Sequence, residues 1–403
     1  MSALEELVEL ARAAGRIGLD TEFMGEGRYR TQLCLIQLAV QDGEGAERIE
    51  VVDPLDGDAR AAPLAALLED PKIEVVVHAG RQDIALLRRH LRCDVLGVFD
   101  TQVAAGFIGL PAQCSYETLL IEALGVRVGK SASFTRWDRR PLSEEQLSYA
   151  REDVAHLLAL AKELESRLEA AGRLGWAREE CEYLERVSDE RDLDAVFSKL
   201  PRIRGLSQAS QGVARELVQW REESAAARDR PVQSVLGDAV LVEIAKRKPS
   251  SKHKLEEIRG VGQSALQRRA GELLDAVARG LQRPPEPLER SPRPSLPESG
   301  DAPLIALCES LVRARAREAD LAYELLASRA DLQAIVIAHR ERSEADVRTL
   351  RGWRRELVGE QLLALLDGRL SLSVNAGRLE IGPLRATPDG ERSTPIAGTK
   401  DVT

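Results

Sequence analysis

The first part of the chain alternates between apolar runs typical of strands and segments with helical spacing. Residues 3–14 place apolar side chains at helical intervals, and the apolar run from Ile17 to Leu19 is typical of a strand. Residues 33–40 are mostly apolar on both faces, which indicates a strand in a sheet that is covered on both sides. The pattern also predicts strands over 48–52 and 73–77 and a short helix over 63–68.

Helical patterns dominate after the fourth predicted strand. Helices are predicted from Gln82, from the cap Asp100-Thr101, and over Ser115–Leu124 before the stop signal Gly125. Ser143 as N-cap and Gln146 three residues later form a capping box. The helix that starts there is predicted to run to about Leu168. Strands followed by helices indicate an α/β domain over roughly 1–170.

The rest of the chain predicts small helical regions joined by a linker. Its predicted parts are a helical connector over 171–203, a helical domain over 204–281, a linker rich in Pro, Ser and Glu over 282–302, a second helical region over 303–381 and a disordered tail over 382–403. Alternating residues on both sides of Asn375-Ala376-Gly377 predict that the second helical region ends in a β-hairpin.

Two acids on the first predicted strand are the first candidate for chemistry. Asp20 and Glu22 are two residues apart, so a strand directs both side chains to the same face. Two carboxylates on one buried face repel each other and lose hydration, which indicates a cation between them. The structural alternative is an acid pair solvated in a turn at the end of the strand.

Two further acids can join this pair. Asp83 follows the end of the fourth strand, and Asp153 shares a helix face with Tyr149, four residues earlier. Four carboxylates without a local His or Cys cluster favour hard divalent cations, Mg²⁺ or Mn²⁺. Such a site can hold two ions roughly 3.5–4 Å apart, one activating a water and one stabilising a leaving oxygen. Tyr149 is predicted to orient the water, because an ordinary phenol is a poor base.

Composition limits the location and the partners. No apolar run approaches the ~20 residues of a membrane span, so no membrane association is predicted. Five scattered cysteines without a C-x-x-C motif fit a cytoplasmic protein without disulfides. The net charge of −9 argues against a nucleic-acid partner, but residues 202–280 carry a net charge of +5. The basic segment can therefore bind a polyanion locally.

Three short motifs resemble those of the DEDD exonucleases. They are D-T-E-F at 20–23, H-A-G-R-Q-D at 78–83 and Y-A-R-E-D at 149–153, and the last matches the subclass with a tyrosine in the third motif. The segments T-Q-L-C-L-I-Q-L-A at 31–39 and R-P-L-S-E-E-Q-L-S-Y-A at 140–150 are more similar to the ribonuclease D family than to proofreading domains. Residues 204–280 resemble the helicase-and-ribonuclease-D C-terminal (HRDC) domain.

The resemblance implies an α/β RNase H-like exonuclease domain, a mixed sheet with flanking helices, followed by small all-α HRDC-like domains. It implies two-metal hydrolysis that trims RNA from the 3′ end and releases nucleoside 5′-monophosphates, with tRNA precursors as typical substrates. Asp20, Glu22, Asp83 and Asp153 match the metal carboxylates of the family, and Tyr149 matches its water-orienting residue. The 303–381 region departs most from the family pattern.

Several residues outside the acids are candidates for RNA contact. Phe23 and Tyr29 can stack on terminal bases, although core packing explains Phe23 equally well. His78 is a candidate substrate contact, with a structural role at a strand end as the alternative. Arg136 and Arg139, in the basic 136–140 loop, are candidate phosphate contacts, with simple solvation as the alternative.

The densest basic run surrounds Pro249-Ser250-Ser251. Its candidate RNA-binding residues are Lys246, Arg247, Lys248, Lys252 and Lys254. The alternative for this run is an exposed interhelical loop. The nearby Gly260-Val261-Gly262 is either a tight turn or a phosphate-binding helix start.

These observations favour a metal-dependent 3′→5′ exoribonuclease that acts on the 3′ ends of RNA, with no protein partner predicted. A DNA exonuclease of the same fold is an alternative, because a two-metal site does not itself require a 2′-hydroxyl. A nuclease-dead RNA-binding scaffold is another, and the intact set of four acids argues against it.

Overall fold

The computed structural model describes residues 3–43, 45–56, 61–111, 113–128, 136–261, 268–284 and 297–384. The chain divides into two units, Met1–Pro294 and Ser295–Thr403, and each is described by itself. Among the described residues, no helix combines the length and the apolar character that a membrane span requires.

The first unit is built on a five-stranded mixed sheet in the order β3-β2-β1-β4-β5. Its strands are β1 (Arg16–Met24), β2 (Gln32–Gln41), β3 (Glu47–Val52), β4 (Glu74–Val77) and β5 (Val98–Asp100). β1, β2 and β3 are antiparallel neighbours, whereas β4 and β5 run parallel to β1. The sequence predicts the first four strands. β5 has only three residues, too few to show an alternating pattern.

Helices cover both faces of this sheet. The helices α1 (Ala3–Ala14), α2 (Ala61–Leu68) and α3 (Arg81–Leu91) share one apolar core with Ile17 and Leu19 of β1. Gly18 of β1 lies on the opposite face, which is covered by the helix that contains Leu158. A Cβ atom added to Gly18 would lie 3.4 Å from Cγ of Leu158. Gly18 therefore lets a helix approach β1 closely on the face to which Asp20 also belongs.

The helix from Ser143 has the predicted start but not the predicted length. The capping box of Ser143 and Gln146 begins α6 (Glu144–Glu152), confirming the predicted start. The prediction of one helix to Leu168 is wrong, because a turn over 153–156 separates α6 from α7 (Leu157–Ala170). Buried apolar residues keep the same spacing across this break, so periodicity cannot reveal it.

Two short helices lie between α3 and α6. α4 (Thr101–Gly106) begins at its N-cap Asp100. α5 (Tyr116–Leu119) continues as a π-helical turn to Gly125, whose φ of +69° ends the segment as predicted.

The second half of this unit is helical. Its helices are α8 (Leu174–Glu182), α9 (Leu193–Ser198), α10 (Gln208–Ala226), α11 (Val232–Val235), α12 (Asp238–Arg247), α13 (Lys252–Glu256) and α14 (Ala270–Gln282). α10 and α14 cross where two glycines meet, since a Cβ on Gly280 would lie 2.4 Å from Cα of Val213. Gly212, on the facing helix, would place a Cβ 2.6 Å from the carbonyl oxygen of Gly280. The crossing therefore requires glycine on both helices.

The second unit is a helical region that ends in a hairpin. Its longer helices are Asp301–Glu318, Arg329–Glu341 and Glu360–Leu366. β6 (Leu370–Asn375) and β7 (Arg378–Pro383) pair through a two-residue turn, in which Ala376 has φ of +47° and Gly377 +76°. The predicted hairpin is therefore present. Most of the predicted linker (285–296) and tail (385–403) lies outside the described residues.

Candidate active site

Three carboxylates converge on one face of the sheet. One oxygen each from Asp20 and Glu22 of β1 and from Asp153 lies within 4.8 Å of the other two. The strand places the first two on the same face, and the end of α6 brings the third over them. This cluster has the composition and the spacing of a candidate metal site.

A β-bulge follows the second acid. Glu22 pairs with Leu35 but Phe23 pairs with Leu33, so Cys34 is an extra residue on β2. Nη2 of Arg140 donates a 2.9 Å hydrogen bond to the carbonyl oxygen of Cys34 and also pairs with Asp53. Arg140 thus stabilises the bulge. Bulges are common beside active sites, where they redirect side chains.

Asp83 lies beside the three-carboxylate cluster. It is buried in the first turn of α3, and the Thr21 hydroxyl donates a hydrogen bond to its Oδ1. Its negative charge contributes to the raised pKa values of Asp20 and Glu22. The fourth predicted acid is therefore close enough to interact with the cluster.

The four acids resist simultaneous ionisation. Burial raises the pKa of Asp20 well above its ordinary value, and Asp83, Asp153 and Glu22 raise it further by repulsion. Burial, then repulsion from Asp153 and Asp83, raises the pKa of Glu22 to about 8. Burial raises the pKa of Asp153 to about 7 and that of Asp83 to about 6. Full ionisation at neutral pH therefore requires a nearby positive charge.

Tyr149 is a hydrogen-bond donor in this site. It lies on α6, and its phenol donates to the carboxylate of Asp153. Burial, followed by repulsion from Asp153, Glu22 and Asp20, raises the pKa of Tyr149 above its ordinary value. Its ring lies beside Trp137, with 6.0 Å between the ring centroids. The phenol therefore stays protonated and cannot serve as a base near neutral pH.

Asp100 fixes the turn that presents Asp83. Its buried carboxylate accepts hydrogen bonds from the backbone N–H groups of Ala79 at 3.0 Å and Gly80 at 2.9 Å, in addition to those of its own helix α4. Ala79 has φ of +54°, and a Cβ on Gly80 would lie 2.5 Å from the Val77 side chain. This strained turn begins α3, so Asp100 indirectly positions Asp83.

His78 is held by neighbouring groups. Its Nδ1 lies 2.9 Å from Oγ1 of Thr101, and its ring centroid lies 5.4 Å from that of Tyr116. Burial lowers the pKa of His78 to about 4, so the ring is neutral at physiological pH. A substrate contact by His78 stays a prediction.

The two aromatic candidates have different environments. Phe23 is half-buried near the end of β1, just after the bulge. The hydroxyl of Tyr29 donates a 3.0 Å hydrogen bond to Glu222 on α10, and its N–H donates to Asp229 at 3.1 Å. Tyr29 therefore links the loop after β1 to the helical half of the unit.

The basic candidates for RNA contact differ in whether their side chains already bind other residues of the protein. Arg136 is exposed and donates to Asp138 at 2.8 and 2.9 Å. Arg139 and Lys246 are exposed, and neither forms an ion pair with another described residue. Lys248 Nζ donates to Ser210 Oγ at 2.9 Å.

The other members of the basic run have local partners. Arg247 pairs with Glu243 at 2.5 Å, Lys252 with Glu256 at 3.9 Å, and Lys254 donates to Ser250 at 3.5 Å. Gly260 has φ of +98°, consistent with a tight turn, whereas Gly262 lies outside the described residues.

Sequence reasoning missed several residues around the acids. Thr21 lies inside the D-T-E-F motif, but the motif does not indicate its hydrogen bond to Asp83. The sequence predicts Asp100 only as a helix cap and not as the acceptor for the turn before α3. Gln37 is the one polar residue in the predicted strand 33–40, which is otherwise apolar on both faces, and this distinguishes it from its neighbours. Tyr116, whose hydroxyl is buried, has no comparable local signal.

Comparison with known proteins gives a consistent assignment. A family model described as 3′-5′ exonuclease matches residues 1–169, and the HRDC domain model matches residues 210–277. Ribonuclease D of Granulibacter bethesdensis is 35% identical over 384 residues, and that of Gluconacetobacter diazotrophicus is 36% identical over 388 residues. Each match covers 94% of this chain and 94% of the relative.

A solved structure agrees over nearly the same length. The crystal structure of Escherichia coli RNase D matches with a TM-score of 0.72 and 31% sequence identity, covering 91% of this chain and 96% of that chain. The full-length relatives, the two domain models and the mixed sheet with its helical extension lead to one conclusion. The chain belongs to the ribonuclease D family.

Proposed function

We propose that the protein is a 3′→5′ exoribonuclease whose reaction takes place at the cluster of Asp20, Glu22 and Asp153, with Asp83 beside it. The observation that carries this function is the convergence of three carboxylate oxygens within 4.8 Å in a chain of the ribonuclease D family. The helical domains that follow would position the RNA whose 3′ end reaches this cluster.

The donor set fits a divalent cation. All four candidate ligands are carboxylates, which suit the hard ions Mg²⁺ and Mn²⁺. Asp20, Glu22 and Asp153 would hold one ion. Asp83 would add the fourth carboxylate, which a second ion requires. Such ions, when bound, supply positive charge that activates a water and stabilises the leaving oxygen of the phosphodiester. The raised pKa values of the acids support this assignment, because a cation would offset their mutual repulsion.

The surrounding residues orient the acids. Tyr149 donates to Asp153 and Thr21 to Asp83, so each donor fixes one carboxylate. Asp100 holds the turn before α3 and with it the direction of the Asp83 side chain. Such supporting contacts keep a site in its productive geometry.

The substrate we propose is the 3′ end of a structured RNA such as a tRNA precursor, with nucleoside 5′-monophosphates as products. The related E. coli enzyme is described as an exoribonuclease involved in structured RNA processing. A closed group of acids suits a chain end better than an internal bond. Exposed Arg139 and Lys246 are the basic candidates best placed to meet phosphates, since no described carboxylate pairs with them.

The domain organisation we propose follows the predicted boundaries. It consists of an exonuclease domain over 1–170, a connector over 171–203, an HRDC domain over 204–281, a linker over 282–302 and a second HRDC-like region over 303–381. The HRDC match over 210–277 supports the third of these parts.

Nuclease assays with defined substrates test the function. Full-length protein is incubated with 3′- and 5′-labelled RNA and with DNA of the same sequence, in Mg²⁺, Mn²⁺ or EDTA. Stepwise loss of RNA from the 3′ end, abolished by EDTA and by Asp20→Asn, is the expected result. Preference for DNA would favour a DNA exonuclease of the same fold. Absence of cleavage with either metal would favour a non-catalytic RNA-binding protein.

A further inference from the structure

Gln37 of β2 lies directly opposite Asp20 of β1 in the antiparallel register. Residues opposite each other in such a pair direct their side chains to the same face. The amide of Gln37 therefore shares the face that carries the three converging carboxylates. The side chain is fully buried, and neither its Oε1 nor its Nε2 has a hydrogen-bond partner among the described residues.

A buried amide without partners is unusual. Proteins satisfy most buried polar groups, and an unsatisfied one destabilises the fold unless something else pairs with it. Within the sheet, three of the four nearest neighbours of Gln37 on this face are apolar: Leu35 and Ala39 along β2 and Val51 across on β3. The fourth is Asp20, which is therefore the polar residue directly beside Gln37 in the sheet.

Asp20 needs a donor of this kind. Its carboxylate lies within 4.8 Å of those of Glu22 and Asp153, so its nearest polar side chains in the cluster are acceptors rather than donors. The Cβ atoms of opposite residues in an antiparallel pair are about 5 Å apart. A glutamine side chain spans that distance, so its Nε2 can reach the Asp20 carboxylate by a change of side-chain rotamer.

We propose that Gln37 is a positioning residue of the cation site, an inference that rests on the proposed function. Its Nε2–H group donates to one oxygen of ionised Asp20 and leaves the other oxygen directed at the divalent cation. Donors behind a ligand fix its orientation in this way and contribute to metal affinity. This role explains why the buried middle of β2, residues 33–40, is apolar except for the amide of Gln37.

The substitution Gln37→Met separates this role from a purely structural one. Methionine keeps the length and approximate volume of glutamine but has no N–H donor. Gln41→Met is the matched control, because it makes the same change on the same strand about 13 Å away. Titration calorimetry with Mn²⁺ on the full chain measures the affinity, and thermal unfolding in EDTA measures the stability of the metal-free protein.

Gln37→Met should weaken Mn²⁺ binding but stabilise the metal-free protein. The dissociation constant for Mn²⁺ should increase by about 10–100-fold, as for other supporting residues of metal sites. The melting temperature of the metal-free protein should rise, because the substitution removes an unsatisfied buried amide. Gln37→Leu should behave in the same way and provides a second folded variant. Gln41→Met should leave the Mn²⁺ affinity unchanged.

The failure of this inference can be told from a failure of the proposed function. Unchanged Mn²⁺ affinity in both Gln37 variants, with weakened affinity in Asp20→Asn, would overturn the role of Gln37 alone. A wild-type protein that binds no Mn²⁺ and cleaves no RNA would overturn the proposed function and this inference together.

Discussion

The phenol of Tyr29 donates a 3.0 Å hydrogen bond to the buried carboxylate of Glu222, which connects the loop after β1 to α10. Nη1 of Arg28 donates to Asp229 at 2.5 Å in the same contact, and Arg191 pairs with Glu222 at 2.8 Å. The loop that follows the acids of β1 is therefore attached to the region that matches the HRDC model. A change in these contacts should therefore alter the position of the loop and, through β1, that of Asp20 and Glu22.

The first prediction concerns this attachment. Tyr29→Phe removes the donor to Glu222 and leaves a buried carboxylate with one partner fewer, which costs about 1–3 kcal/mol. We expect faster hydrogen–deuterium exchange in the 25–31 loop and weaker binding of long RNA. Tyr183→Phe, at an exposed tyrosine of the same unit, is the control. Exchange rates in the loop equal to those of the wild type would contradict the prediction.

The second prediction is a pH dependence of the metal-free protein. The pKa of Glu22 is about 8 in the folded state against an ordinary value of 4.5, so between these pH values the folded protein retains a proton that the unfolded chain has lost. Stability contributed by this proton is complete below pH 4.5 and decreases as pH rises through 8. In EDTA, the melting temperature should therefore fall between pH 5 and pH 8.

Glu22→Gln tests this pH dependence. The variant cannot ionise, so its melting temperature should fall less between pH 5 and pH 8, with a gain in stability at pH 8 on the order of a few kcal/mol. Glu26→Gln, at an exposed position of the following loop, is the control. Parallel pH curves for Glu22→Gln and the wild type would show that Glu22 does not titrate in this range.

The third prediction concerns the turn before α3. Asp100→Asn keeps the shape of the side chain but removes the charge that accepts hydrogen bonds from Ala79 and Gly80. We expect kcat to fall by about 10–100-fold, since Asp83 loses its fixed position, with a smaller change in KM for RNA. Steady-state kinetics on a short RNA give both constants. Asp94→Asn, which is exposed, should behave as the wild type.

The fourth prediction separates the basic residues of the 246–254 run. The ammonium group of Lys246 is exposed, whereas that of Lys248 donates to Ser210. Lys246→Ala should weaken RNA binding and reduce the salt slope of log K by about 1, the effect of one lost phosphate contact. Lys248→Ala should lower the melting temperature instead. A salt slope unchanged by Lys246→Ala would exclude this lysine from the RNA interface.

Patterns within single strands and helices predict the candidate-site residues whose direction is set by one element. Strand alternation pairs Asp20 with Glu22, and the capping box of Ser143 starts the helix that carries Tyr149. The position of Asp83 after a strand also follows from the chain itself. Each of these inferences uses residues close together in sequence, where the geometry of one element determines direction.

The missing parts depend on contacts between distant segments. The pairing of Gln37 with Asp20 requires the register of β1 and β2, and the bulge at Cys34 shows that register can shift within one pair of strands. The engagement of Tyr29 with Glu222 joins residues 193 positions apart. Local periodicity cannot specify such contacts, because tertiary packing decides them.

The end of α6 at Asp153 has an electrostatic consequence. The backbone dipoles of a helix leave partial negative charge at its C-terminus, so α6 adds its own negative field to the carboxylates gathered there. A phosphate group meets net repulsion at this point until a cation binds. Cation binding and RNA binding should therefore be thermodynamically linked, each increasing the affinity of the protein for the other by the same factor.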